Sequence, residues 1–169
     1  MGPKIVCIVG KKKSGKTTFL EALVPALKEL GLRVGTVKHD AHSFDMDHEG
    51  KDSWRHRRAG ADSVAVSSPT QLALIKSVDR ELGLPELALE FFADRQVVLA
   101  EGYFRSDMPK VEVHRSEAHA EPLCNAENAA EKKLLALVSD TKQDLGVPFF
   151  GLDQAREVAR LIADRLLGI

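Results

Sequence analysis

The chain has 169 residues, 44% of them hydrophobic, and a formal net charge of -1. That length supports one well-buried core and is too short for two, the near-neutral balance argues against a general nucleic-acid binder, and two cysteines make no disulfide framework. No stretch approaches the ~20 apolar residues of a membrane span, and the first apolar run lacks a signal peptide's cleavage pattern, so a single cytoplasmic domain over residues 1–169 is expected.

Ile5-Val6-Cys7-Ile8-Val9 reads as a buried strand over residues 4–9. It runs directly into Gly10, Lys11, Lys12, Lys13, Ser14, Gly15, Lys16, Thr17 and Thr18, whose Gly-x4-Gly-Lys-Thr spacing is that of a phosphate-binding P-loop. Gly10 and Gly15 permit backbone angles and a close approach that a β-carbon would obstruct, so successive amides can turn inward around phosphate oxygens. Lys16 offers a mobile ammonium to the β- and γ-phosphates and Thr17 a hydroxyl to Mg2+, while the helix that starts here points its positive end at the anion. Lys11, Lys12 and Lys13 concentrate charge where a polyphosphate would sit. The motif predicts a bound nucleoside triphosphate; the competing reading is a Gly- and Lys-rich surface turn.

A helix over residues 16–30 places Leu20, Leu23, Val24 and Leu27 on one face and stops at Gly31. Pro25 lies inside it, removes the bond to the Glu21 carbonyl and is expected to bend it. A strand over residues 33–38 ends at His39-Asp40. The polar loop that follows holds His39, His42 and His48 with Asp40, Asp45, Asp47 and Glu49, residue types that suit Mg2+ better than zinc, or simply a polar loop. A short basic helix over residues 52–59, with Arg55, His56, Arg57 and Arg58, is closed by Gly60 and reads as a solvated face or an anion site. Asp52 either caps that helix or points at a metal.

Residues 63–67 and 71–76 flank Ser68-Pro69-Thr70 and predict a hairpin. Pro85 opens a helix over residues 85–92. The apolar run 97–100 ends at Glu101-Gly102, and residues 110–114 make another strand candidate. Residues 116–131 are polar, alanine-rich and poorly patterned, a long loop with one helical turn. A strand over residues 134–138 ends in Ser139-Asp140. The closing helix, residues 153–167, turns Ala155, Val158, Ala159, Ile162 and Leu166 inward with Asp153 as its N-cap.

The alternation of strands and helices predicts an α/β fold, a mostly parallel twisted sheet flanked by helices with an additional β-hairpin. Ligands of such sheets collect beyond the carboxyl ends of the strands, which singles out the P-loop, His39-Asp40, Glu101-Gly102 and Ser139-Asp140. Glu101 is the candidate for the second acidic group of a nucleotide site, where a carboxylate holds Mg2+ directly or through water and helps orient a hydrolytic water. The shorter Asp is more usual in that role.

Taken in order, the P-loop, Val37-Lys38-His39-Asp40, Phe44-Asp45 with Asp47, Gly50-Lys51-Asp52-Ser53 running into Ala59-Gly60-Ala61, and Ala100-Glu101-Gly102-Tyr103 closely resemble the MobB family of molybdopterin-guanine dinucleotide biosynthesis adaptor proteins. The resemblance continues through Lys110-Val111-Glu112-Val113, Val138-Ser139-Asp140 and the last helix, and is weakest over residues 116–132. It implies a P-loop NTPase-like, cytoplasmic homodimer that binds GTP with Mg2+, hydrolyses it weakly, and assists the guanylyltransferase MobA in attaching GMP to the molybdenum cofactor, with molybdopterin as a further ligand to test. Carried over by position, the resemblance makes Gly10 through Thr18 the phosphate cradle and Lys16 with Glu101 the catalytic pair. It assigns Thr17, Glu101 and Asp52 to the metal and Asp140 to guanine N1 and N2.

The chain has no Asn-Lys-x-Asp guanine motif, so the preference for GTP rests on the resemblance. Lys11 stands where a related class of dimeric P-loop ATPases places a lysine that reaches the partner's nucleotide. No residue is an obvious catalytic base, so hydrolysis is expected to be slow unless a partner completes the site. Two other classes use the same loop: a small-molecule kinase with the basic helix as its acceptor-phosphate site, and a nucleotide-regulated binding module.

Overall fold

A computed structural model describes residues 2–40 and 44–169. In chain order the elements are β1 (Lys4–Val9), α1 (Lys16–Glu29), β2 (Val34–Lys38), α2 (Asp52–Arg58), β3 (Ser63–Ser67), β4 (Leu72–Lys76), α3 (Leu84–Phe91), β5 (Val97–Glu101), β6 (Lys110–His114), β7 (Leu134–Ser139), β8 (Phe149–Phe150), α4 (Ala155–Ile162) and a π-helical end, Ala163–Leu167. They form two compact units, one of Met1–His39 with Leu84–Ile169 and one of Asp40–Gly83.

In the larger unit six strands pair in the order β2-β5-β1-β6-β7-β8, every neighbouring pair parallel. The α/β class and parallel sheet expected from the alternation are what the chain adopts. Because successive strand side chains point to opposite faces, Val6 and Ile8 join one buried cluster and Cys7 and Val9 another. The first cluster is closed by Phe19, Leu20, Leu23, Ala26 and Leu27 of α1 and by Ala155, Val158, Ala159 and Ile162 of α4, so both helices lay their apolar stripes on one face. Helix α1 passes through Pro25 unbroken.

No helix covers Cys7, Val9 and Ala100 alone. Leu84, at the start of α3, shares that face with Tyr103, Phe104 and Met108 from the connection between β5 and β6. Lys110 fixes this connection. Its side chain is buried, and Nζ donates to the Ser106 carbonyl at 2.6 Å and the Met108 carbonyl at 2.8 Å. Burial pushes its pKa below the ordinary lysine value.

Gly35 on β2 is a second packing constraint, because a Cβ there would lie 2.3 Å from a ring carbon of Phe92. Gly35→Ala is expected to cost about 1–3 kcal/mol of stability through overpacking, measurable as a lower urea midpoint with unchanged m-value.

Three sequence expectations need correction. Asp153 does not cap the last helix: the N-cap position belongs to Gln154, without a side-chain capping bond, and Gln154 Oε1 instead accepts from the Gly151 amide at 2.7 Å. The closing helix also changes pitch at Ala163 and ends at Gly168, whose φ is +71°. The two-residue strand β8, directly after Pro148, has no counterpart among the strands expected from the sequence.

The smaller unit holds the expected hairpin. β3 and β4 are antiparallel from Ser63↔Lys76 to Ser67↔Leu72, closed by the Ser68 amide donating to the Gln71 carbonyl at 2.8 Å. Val66, Leu72 and Leu74 of the hairpin are exposed. Helix α2 buries no residue. Its Arg57 pairs with Asp45 at 3.3 Å, its Ser53 donates to Asp47 at 2.8 Å, and its Arg58 lies over the Trp54 ring at 5.4 Å.

Candidate functional site

The P-loop leaves the carboxyl end of β1 between two neighbours, β5 on one side and β6 on the other. It is pressed against β6. A Cβ on Gly10, whose φ is +149°, would sit 2.2 Å from the Val113 carbonyl oxygen and 2.6 Å from Ser14 Oγ. Ser14 is buried, and its hydroxyl has no hydrogen-bond partner among the described residues. An uncompensated buried hydroxyl is costly, and this one has a donor available to an anionic oxygen. Gly10→Ala is therefore expected to cost about 1–3 kcal/mol of stability through strain, read as a lower urea midpoint.

Lys16 and Thr17, the first residues of α1, face the sheet edge. Lys16 Nζ donates to the Gly10 carbonyl at 3.0 Å and the Lys11 carbonyl at 2.9 Å, folding the ammonium over the loop. Burial, followed by the nearby Lys38, lowers its pKa, while Glu101 acts in the opposite direction. Thr17 Oγ1 lies 3.1 Å from both carboxylate oxygens of Glu101. Glu101 itself is the last residue of β5, registered against Ile8 of β1 and Lys38 of β2, and the next amide, Gly102, donates to the Ile8 carbonyl at 2.9 Å. A hydroxyl and a carboxylate meeting at one point beside a lysine is a donor set for a hard cation such as Mg2+. The residues present fit a magnesium-bound polyphosphate.

The segment after β6 gives this site a wall that sequence reasoning missed. Lys11 Nζ donates to the Glu121 carbonyl at 2.6 Å, within its own chain, and His119 Nε2 donates to the Lys12 carbonyl at 2.6 Å. The segment is held to the sheet by two buried polar side chains of the sheet itself. Glu112 accepts from the Leu123 amide and, at 2.9 Å, from the Cys124 amide. His114 Nε2 faces the His119 carbonyl at 2.8 Å, which requires its proton there and leaves Nδ1 to accept from the Ser139 hydroxyl at 2.9 Å. Burial, aided by the Glu112 carboxylate, pushes the Cys124 thiol up to about 12, so it is an inert packing group.

Asp140, just past β7, stands at the same edge of the sheet. Its Oδ1 accepts from the Ser116 amide at 2.8 Å and its Oδ2 from the Ser116 hydroxyl at 3.1 Å, and the amide bond, first among the causes, holds its carboxyl below the usual range. Asp52 belongs to the smaller unit, where it is exposed and pairs with Arg55 at 3.7 Å. The acid- and histidine-rich loop assembles no group of three or more potential metal ligands among the described residues; Asp45 and Asp47 turn to Arg57 and Ser53 instead. His42 lies outside the described residues. Among those described, no helix is long and apolar enough to cross a membrane.

Comparison with known proteins gives a consistent answer. A family model described as molybdopterin guanine dinucleotide synthesis protein B, MobB, matches residues 5–140. The molybdopterin-guanine dinucleotide biosynthesis adapter protein of Escherichia coli (strain K12) is 32% identical over 157 residues, covering 89% of this chain and 86% of that protein. Its Haemophilus influenzae counterpart is 39% identical over 113 residues, which span 65% of this chain and 62% of that protein. The crystal structure of Bacillus subtilis MobB superposes with a TM-score of 0.72 at 31% identity, covering 98% of this chain and 99% of that one.

Proposed function

This chain belongs to the MobB family, and on that premise we propose that it is a GTP-binding adapter protein that assists a molybdopterin guanylyltransferase in making molybdopterin-guanine dinucleotide. The observation that carries the nucleotide part is the convergence of Lys16, Thr17 and Glu101 at the carboxyl ends of β1 and β5. In this reading Gly10 through Thr18 wrap the phosphates, Lys16 trades its two loop carbonyls for phosphate oxygens, and Thr17 with Glu101 holds the metal. Bound Mg2+ would neutralise charge on the β- and γ-phosphates. Asp140 Oδ1 is taken up by Ser116, Ser139 and Thr141, but Oδ2 accepts only from the Ser116 hydroxyl and keeps a lone pair able to accept from a guanine N–H at N1 or N2.

Turnover is expected to be slow. Phosphoryl transfer is largely positioning and charge neutralisation, and the site's carboxylate is engaged with Thr17 and not poised as a base. A second copy of the chain is expected to cover the exposed hairpin residues Val66, Leu72 and Leu74, since two strands alone are marginally stable in water. Sedimentation of the wild type as a monomer would count against the homodimer.

Titration with GTP and ATP, each with and without Mg2+, tests the reading. GTP should bind more tightly than ATP and more tightly with Mg2+ than without. Equal affinities for the two bases would remove the guanine assignment, and no binding of either would remove the nucleotide assignment altogether.

Lys16 supplies a pH signature as well. Its folded pKa is depressed by burial, so the unfolded chain binds the proton more tightly; stability of the free protein rises with pH between that depressed value and the ordinary lysine range. GTP affinity should fall over the same window as the ammonium is lost, and a Lys16→Met variant should show neither trend.

A further inference from the structure

Arg115 is the first residue beyond β6, on the side of the P-loop opposite Glu101. Its Nη2 lies 3.4 Å, and its Nε 3.8 Å, from the position a Cβ on Gly15 would occupy. The guanidinium therefore lies directly against the bare backbone of the phosphate loop. Arg115 Nε is buried and has no hydrogen-bond partner among the described residues. Its carbonyl is engaged, accepting from the Ala118 amide at 3.0 Å and the His119 amide at 3.1 Å, which fixes the base of the side chain. The adjacent Asp140 carboxylate is turned to Ser116. A half-buried guanidinium with an orphaned donor is unfavourable unless an anion completes it.

The order of groups along the sheet edge says which anion. Glu101 on β5 comes first, then the P-loop on β1, then Arg115 on β6, then Asp140 on β7. Thr17 and Glu101 would hold the metal that neutralises the β- and γ-phosphates, which would put the terminal phosphate towards β5. The phosphates nearer the nucleoside then lie towards β6. We propose that Arg115 is a nucleotide-binding residue whose guanidinium pairs with the α- and β-phosphates, charging the site from the side opposite the metal. This deepens the nucleotide reading above and rests on it. Arginine suits the place because its planar fork meets two phosphate oxygens at once, whereas Lys16 acts as a point charge.

The test titrates GDP and GTP, with Mg2+, into wild type, Arg115→Ala, Arg115→Lys and Lys16→Ala, alongside melting of each protein without nucleotide. Arg115→Ala should weaken GDP and GTP by the same factor, roughly 10- to 100-fold, with Arg115→Lys recovering part of the loss. The nucleotide-free melting temperature of Arg115→Ala should match that of wild type, because the deleted donor has no internal partner; a lowered value would mark the residue as structural and overturn the proposal. Wild-type affinity of Arg115→Ala for GDP would overturn it, as would a loss confined to GTP, which would put the guanidinium at the γ-phosphate. If Arg115→Ala does not fold, Arg115→Gln takes its place under the same criteria. Should wild type bind neither nucleotide, the underlying reading falls and this one with it; should wild type bind and only Lys16→Ala lose affinity, Arg115 alone is refuted.

Discussion

Lys16→Ala is expected to lower GTP affinity at least ~100-fold while leaving the protein folded. The ammonium rests on two loop carbonyls at 3.0 and 2.9 Å, so the unliganded loop already carries it over the site, and exchanging neutral carbonyl acceptors for charged phosphate oxygens favours the bound state. Deleting it leaves the charge of the β- and γ-phosphates to backbone amides and the metal alone. The free protein loses two hydrogen bonds but is also relieved of a partly buried charge, so its stability should change little. Calorimetry with GTP, together with far-ultraviolet circular dichroism of the free protein, separates the two effects. Near-wild-type affinity in a folded variant would mean that the loop does not grip a triphosphate.

Glu112→Ala should have the largest effect on stability. Its carboxylate is buried in the sheet, 1% exposed, and accepts the Leu123 and Cys124 amides. Hydrogen bonds to a charged acceptor contribute about 1.5–3 kcal/mol each, and the two abandoned amides would remain inside. A total loss of roughly 3–5 kcal/mol from a domain whose stability is of order 5–15 kcal/mol should lower the melting temperature by roughly 10 °C. Glu112→Gln, which keeps one acceptor, should lose less. Because residues 119 and 121 touch Lys12 and Lys11, the Ala variant should also bind GTP more weakly at temperatures where it is still folded. A melting temperature unchanged in Glu112→Ala would show that the segment after β6 is held by other means.

The P-loop was legible because its chemistry is local: nine consecutive residues between a β-type run and an amphipathic run specify the bend, the charge and the helix start. The hairpin was legible for the same reason, with alternating residues on both sides of Ser68-Pro69-Thr70. Glu101 could be picked out because it ends an apolar run. Arg115 directly follows the strand on the other side of β1, but among several other charged residues nothing in one sequence distinguishes it; only the closeness of its guanidinium to Gly15 does. Glu112 reads as the polar member of an alternating strand, yet the sheet buries both faces there, and its partners come from the stretch with the least pattern. Strand β8 was invisible because two residues carry no periodicity. Asp153 misled because its residue type suits a cap, while Gln154 reached back to Gly151 and set the helix start later.

The central position of β1 has a consequence for biogenesis. Its two partners lie roughly ninety and a hundred residues further along the chain, so the apolar run Lys4–Val9 has no neighbouring strand until those later residues have been synthesised. Through that interval a stretch with free strand edges on both sides is available to wrong partners and to chaperones. The loop after β1 should gain its support only once β5 and β6 have both emerged to brace it.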